Sequence, residues 1–325
     1  MLPRRLAPGD EIRVIAPSTS MAVVKGKQVD MAVERLNNLG FTVTFGKNVY
    51  EHDEFFSTSI QDRLEDLHEA FRDTNVKGIL TALGGYNANQ LLKYIDYDLI
   101  KDNPKVFIGF SDITALNLAF YQKANLISYS GPLFSTFGMK IGFDYTLQSF
   151  LEAVTNDAPY EIAPSETWSD DLWYQDQESR EFIKQDGYLV LQKGKAEGKL
   201  IGGNLGTMSL LQGTEYMPSL ENSILFIEDD DESHPQLFDR QLQSLLHLPH
   251  AKGIKGVLIG RFQKGSNMTE AALRKLITAK KEFSGIPIIA NVNFGHTQPL
   301  ATIPVGAKAA ITADQEDINI LIEQI

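Results

Sequence analysis

The sequence predicts an α/β protein, with a doubly wound, mostly parallel sheet in its N-terminal part and a smaller α/β domain in its C-terminal part. Two observations carry this expectation. Short apolar runs alternate with stretches of helical period, the pattern left by strands joined through crossover helices. The alternation stops across residues 157–186 and resumes at Gly187, so the chain divides. A length of 325 residues agrees, since one compact core usually organises roughly 100–200.

Residues 11–18 read as a first strand ending at a proline, Pro17. A helix follows over 25–39, with Val29, Val33, Leu36 and Leu39 at helical spacing and Gly40 as its stop. Residues 41–45 are a second strand, 62–71 a helix with Leu64, Leu67, Ala70 and Phe71 on one face, and 78–83 a third strand. Gly84-Gly85-Tyr86-Asn87 comes directly after it, then a helix over 88–94. Val106-Phe107-Ile108-Gly109-Phe110 runs into Ser111 and a helix through Tyr121. This succession is flavodoxin-like, and residues 1–158 are assigned to it.

Residues 159–187 form a polar, acidic linker or active-site loop holding both tryptophans, Trp168 and Trp173. Such rings either stack on a ligand or pin the loop to the core. Residues 188–325 make the second domain. Strands are expected at 187–191, 199–204, 224–227, 257–260 and 286–290, and helices at 205–211, 238–246 and 269–282. An Ala- and Ile-rich tail closes the domain as strands.

Composition narrows the function. Thirty basic against forty-two acidic residues give a formal charge of −12, which disfavours nucleic acid and anionic membranes as partners. The absence of cysteine excludes disulfides, thiolate zinc ligands and thiol nucleophiles. The first residues lack the apolar stretch of a signal peptide, and no apolar run reaches the ~18 residues of a membrane span. A cytoplasmic protein is expected. Neither a dinucleotide fingerprint nor a Walker lysine accompanies the glycines, so no cofactor is expected.

The strand-to-helix turn at Ser111 has the form of a nucleophile elbow, although Ile113 stands where that pattern has glycine. An ordinary N-cap serine would leave the same trace. Gly84-Gly85 serves equally as a plain turn or as main chain presenting N–H groups to an oxyanion. Among six histidines, only His296 sits at a strand-end loop; His68 reads as solvated within a charged helix. Glu228 ends an apolar strand and is directed inward, whereas the acidic residues after it read as solvent-facing. A divalent-metal site at 228–231 is the alternative for that run. Ser111, Glu228 and His296 thus supply a nucleophile, an orienting acid and a base, because a serine hydroxyl needs an imidazole to take its proton and a carboxylate to hold that ring.

Together, Ile15-Ala16-Pro17-Ser18, Gly84-Gly85-Tyr86-Asn87, Gly109-Phe110-Ser111-Asp112, Gly202-Gly203-Asn204-Leu205, Ile227-Glu228-Asp229 and Gly295-His296-Thr297 resemble the LD-carboxypeptidase family of serine peptidases. The resemblance spans nearly the whole chain. It implies a Ser-Glu-His triad of Ser111, Glu228 and His296, with the N–H groups of Gly85 and Asp112 as the oxyanion hole. It further implies substrate contacts from Gly84, Tyr86, Asn87, Asn204 and one of Trp168 and Trp173. The chain looks closest to the microcin C self-immunity branch. The murein-recycling members carry arginine before the first glycine pair, where this chain has Leu83, and glycine where it has Asn87. The implied substrate is therefore a peptidyl- or aminoacyl-nucleotide, with a murein tetrapeptide or a non-catalytic peptide-binding role as alternatives. A homodimer is also implied.

Overall fold

Runs of apolar residues buried on both faces form the centre of each of two sheets in the computed structural model, which describes residues 1–323. In the first half, β1 (Glu11–Ile15), α1 (Gly26–Asn38), β2 (Thr42–Phe45), α2 (Ile60–Arg72), β3 (Val76–Thr81), α3 (Tyr97–Asp102), β4 (Val106–Ile108), α4 (Thr114–Ala124), β5 (Ser128–Ser130) and α5 (Asp144–Thr155) alternate. The strands lie side by side as β2-β1-β3-β4-β5, all parallel. That order is the flavodoxin-type doubly wound sheet the sequence predicts.

After α5 come β6 (Tyr160–Glu161), a two-stranded ribbon of β7 (Thr167–Trp168) and β8 (Ile183–Lys184), β9 (Leu189–Gln192) and the long β10 (Gly194–Asn204). They are followed by α6 (Leu205–Ser209), β11 (Ser223–Glu228), α7 (Pro235–Leu246), β12 (Gly256–Gly260), α8 (Glu270–Thr278), β13 (Ile288–Val292), β14 (Ile303–Val305), β15 (Lys308–Asp314) and β16 (Asp317–Glu323). The second sheet runs β6-β16-β15-β10-β11-β12-β13-β9, with β10 through β13 parallel and antiparallel strands on either side.

One strand of the tail crosses over. β14 pairs antiparallel with β5, through Ile303 with Ser130 and Val305 with Ser128, and completes the first sheet as its sixth strand. Nearby, Tyr160 donates its hydroxyl hydrogen to Thr302 O at 2.9 Å, and Asn204 N donates to Thr114 Oγ1 at 3.0 Å. Buried apolar residues of both sheets join in one cluster.

Three local expectations change. The helix expected over 88–94 is a single 3-10 turn, Ala88–Leu91, because the polypeptide is held there by tertiary hydrogen bonds around Asn87 and Ala88. The helix expected to Glu282 stops at Thr278, and Lys281–Phe283 is a separate 3-10 turn. His68 is half-buried rather than solvated: its Nε2 accepts from Asp96 N at 3.0 Å, and burial lowers its pKa. Among the described residues no helix is long and apolar enough to cross a membrane.

Gly202 marks where backbone packing is tightest. A Cβ there would lie 1.7 Å from Phe226 O on the neighbouring strand. Gly202→Ala must push β10 from β11, and we expect it to lower stability by about 1–3 kcal/mol in denaturant titration. A midpoint equal to wild type would show that the two strands are looser than described.

Candidate active site

β4 ends at Ile108, and the next residues reverse the chain within one turn. Asn117 Nδ2, from α4, donates to Gly109 O at 2.9 Å, tying the turn to the helix it starts. Ser111 emerges with φ +63°, a left-handed conformation that costs a non-glycine residue of order 1–3 kcal/mol. That cost is the usual mark of a side chain thrust out at a sharp strand–helix turn. Gly84 packs directly against it: a Cβ at 84 would sit 2.9 Å from Ser111 Cβ and 3.0 Å from its Oγ.

Glu228 is the last residue of β11, and His296 follows β13 after Asn293-Phe294-Gly295. Both strand ends point to the rim where Ser111 stands. His296 Nε2 lies 3.0 Å from Ser111 Oγ, and its Nδ1 lies 2.6 Å from Glu228 Oε2. In the neutral ring the carboxylate accepts from Nδ1–H, which leaves Nε2 as the acceptor for the serine hydroxyl. Three residues far apart in sequence therefore form one hydrogen-bonded line. Glu228 is 3% exposed, so its charge has little water to screen it. Burial acts to lower the His296 pKa, but Glu228, Asp230 and Asp229 outweigh it and push the imidazole up to about 9.

The Gly84-Gly85 turn faces the same serine. Gly85 has φ +146°, and a Cβ there would meet Thr19 Oγ1 at 2.3 Å, so only glycine lets the main chain approach this closely. The turn is held from below by Asp112, 2% exposed, whose Oδ2 accepts from Ser18 Oγ at 2.6 Å and from Ala88 N at 2.8 Å. Arg63, buried under the turn, donates to Asn87 O and Asn87 Oδ1, both at 3.1 Å. Asp112 N belongs to the start of a helical turn, where N–H groups lack intrahelical acceptors. Gly85, Ser111 and Asp112 line one recess of about 180 Å³ together with Asn204.

The other expected contacts divide. Tyr86 is 78% exposed and donates to Glu232 Oε1 at 2.6 Å, a bond that spans from one lobe to the other and pushes the phenol up to about 12. Asn87 lines a separate, adjoining cavity of about 480 Å³. Asn204 caps α6, accepting from Thr207 N at 2.9 Å, and its Nδ2 donates to Asp229 Oδ1 at 3.2 Å. Trp168 lies over Arg261, 4.8 Å from guanidinium carbon to ring centroid, while half-buried Trp173 packs against the core. Neither ring lines the recess at Ser111.

Sequence reasoning missed part of the acidic run. Asp229 is 4% exposed, not solvated, because it follows Glu228 off the same buried strand end. Burial and the neighbouring Glu228 charge push its carboxyl up to about 7. Asp230 is half-buried and also raised, by burial and then by Glu228 against the opposing pull of His296. The legible signal was the apolar strand; how far inward its end reaches was not. Among the described residues, no group of three or more His, Asp or Glu side chains is arranged to hold a metal ion.

Comparisons with known proteins converge on one family. Residues 12–131 match the LD-carboxypeptidase N-terminal domain and residues 197–311 the LD-carboxypeptidase C-terminal domain. The Bacillus subtilis protein YocD, which carries a carboxypeptidase name, is 52% identical over 324 residues, covering all of both chains. The crystal structure of an MccF-like protein from Bacillus anthracis superimposes with a TM-score of 0.99 at 52% identity, over all of both chains. The microcin C7 self-immunity protein MccF of Escherichia coli is 32% identical, covering 98% of this chain and 95% of its own. Its structure with aspartyl sulfamoyl adenosine has a TM-score of 0.89 over 99% of this chain and 98% of that one, at 30% identity. Fold, site and relatives together define a serine-type carboxypeptidase, a hydrolase. The chain belongs to the LD-carboxypeptidase family.

The charge around His296 is directly measurable. Its ring protons should titrate by NMR on the alkaline side of the ordinary histidine value of about 6.5. Glu228→Gln removes the nearest anion, so the imidazolium loses stabilisation and the midpoint must move down. A midpoint unchanged by that substitution would mean Glu228 does not hold the ring.

Proposed function

We propose that the protein hydrolyses the C-terminal amide bond of a small peptidyl- or aminoacyl-nucleotide through Ser111, His296 and Glu228. The reading rests on the unbroken line from Ser111 Oγ to His296 Nε2 at 3.0 Å and from His296 Nδ1 to Glu228 Oε2 at 2.6 Å. Ser111 Oγ attacks the scissile carbonyl as its proton passes to His296 Nε2. Glu228 holds the ring's tautomer and balances the imidazolium that forms. The oxygen that becomes negative receives hydrogen bonds from Gly85 N and Asp112 N, each worth about 3 kcal/mol at the transition state. His296 then gives its proton to the departing nitrogen, leaving an ester on Ser111. Water, deprotonated by His296, attacks that ester; the acid is released and Ser111 regains its hydrogen.

The nucleotide part of the reading is supported by the aspartyl sulfamoyl adenosine that the Escherichia coli relative binds, and by Leu83 and Asn87 in the first glycine turn. Trp168 or Trp173 stacks on the base in this reading. The recess at Ser111 contains neither ring, so a nucleotide would have to extend beyond it to reach them.

Two measurements test this. Ser111→Ala should lower kcat on an aminoacyl-sulfamoyl-adenosine by at least about 10⁴-fold while leaving the denaturation midpoint near wild type. Retained turnover would remove Ser111 from the mechanism. Offered a murein tetrapeptide in parallel, the wild-type protein should show the lower kcat/KM. The reverse order would make the murein peptide the substrate class.

A further inference from the structure

Three neighbouring parallel strands of the first sheet, β1, β3 and β4, deliver three turns to one place. They are Ser18-Thr19 after β1, Gly84-Gly85 after β3 and Ser111-Asp112 after β4. The glycine turn comes off the middle strand. Thr19 N donates to Gly84 O at 3.1 Å. Gln298-Pro299 is the one cis peptide among the described residues, so the 84–85 peptide is trans and its N–H points opposite to its C=O. Fixing that oxygen on Thr19 turns the Gly85 N–H away from Thr19, on the side where Gly85 and Ser111 line one recess. None of the described residues accepts from this N–H.

Thr19 is itself held through Ser18, which is fully buried. Ser18 Oγ donates to Asp112 Oδ2 at 2.6 Å; its other neighbour, Asn87 Oδ1, lies 3.5 Å away and already receives Arg63 Nη1. A hydroxyl bonded to a carboxylate at this distance is charge-assisted, and so among the stronger hydrogen bonds. Arg63 Nη1 donates to Pro17 O at 3.2 Å, and Ser57 Oγ to Ser18 O at 2.7 Å, so the carbonyls of this segment are fastened to α2 and the residues before it. The Ser18–Asp112 bond ties the fastened segment to the turn that carries Ser111. The same carboxylate oxygen accepts from Ala88 N at 2.8 Å, just past the glycine turn. One buried side chain therefore fixes both flanks of the 84–85 peptide.

We propose that Ser18 and the side chain of Asp112 are positioning residues, which hold the 84–85 peptide plane so that the Gly85 N–H is aimed at the oxyanion formed when Ser111 attacks. The inference rests on the reading that Ser111 is the nucleophile and that Gly85 N is a donor to that oxyanion. Asp112 then has two separate tasks. Its N–H meets the developing charge directly, and its carboxylate aligns the other donor.

Labelling by a fluorophosphonate reads this alignment whatever the natural substrate. Ser111 Oγ bonds to phosphorus as its proton passes to His296, the P–F bond breaks and fluoride leaves, while the phosphoryl oxygen gathers charge where the carbonyl oxygen would. Ser18→Ala leaves the Gly85 donor present but unaligned, and should slow the second-order labelling rate at least about tenfold. The His296 ring should titrate in that variant as in wild type. Asp112→Ala removes the acceptor instead of the hydroxyl and should slow labelling as much, so the test does not hang on one variant folding. Asp112→Asn keeps an oxygen for Ser18 and Ala88 and should recover most of the rate. A role in stability alone would lower the denaturation midpoint and leave the folded protein labelled at the wild-type rate; that result overturns this inference and leaves Ser111 as nucleophile. Slowing accompanied by a shifted His296 titration, or an Asp112→Asn protein as slow as Asp112→Ala, would overturn it too. A wild-type protein that is not labelled at Ser111 overturns the nucleophile reading and this inference with it.

Discussion

A 2.6 Å bond between a buried carboxylate, Glu228, and the imidazole of His296 is the constraint around which the rest is arranged. An ionised group with 3% exposure is tolerable only if another charge or several donors meet it. His296 is that partner, and Asp229 and Asp230 add to the demand for a positive ring. The demand cannot be met locally, because Glu228 ends β11 and His296 follows β13. Parallel strands solve this, since their carboxyl ends all reach the same rim of a sheet. Ser111 comes to that rim from the other sheet, at the end of β4.

Bringing two sheets to one point requires a stiff join. Thr114, at the start of the helix behind Ser111, accepts from Asn204 N at the end of β10. Gly203, next to it, has φ +139°, and a Cβ there would lie 2.5 Å from Thr114 Oγ1. Asn204 in turn reaches Asp229, which follows Glu228. The serine turn and the acidic strand end are therefore linked through one short chain of hydrogen bonds. A displacement of either would be felt as a change in the 3.0 Å spacing between Ser111 and His296.

Much of this was readable in the amino-acid order, for a physical reason. Ser111, Glu228 and His296 each follow a short apolar run whose length and β-branched content mark it as a buried strand, which delivers its last residues to the sheet's rim. Local signals of this sort survive in a one-dimensional string. What did not survive were features decided by remote partners. β5 is a polar Ser-Tyr-Ser segment that is a strand only because β4 and β14 flank it. Residues 88–91 form one tight turn because Arg63 and Asp112 hold them. Asp229 looks like any acidic loop residue until the strand before it is seen to carry it inside. Tyr86 and Glu232, 146 positions apart, offer no hint of each other in the string.

The return of β14 to the first sheet bears on how the polypeptide emerges from the ribosome. Until residues 303–305 are synthesised, β5 presents a bare edge of unpaired main-chain groups, a surface prone to pairing with strangers. The sheet that carries the serine turn is finished only by a segment made just after the histidine. A nascent chain cut before His296 thus lacks both that imidazole and the strand that closes the first sheet, so the two arrive together while β15 and β16 are still to be made.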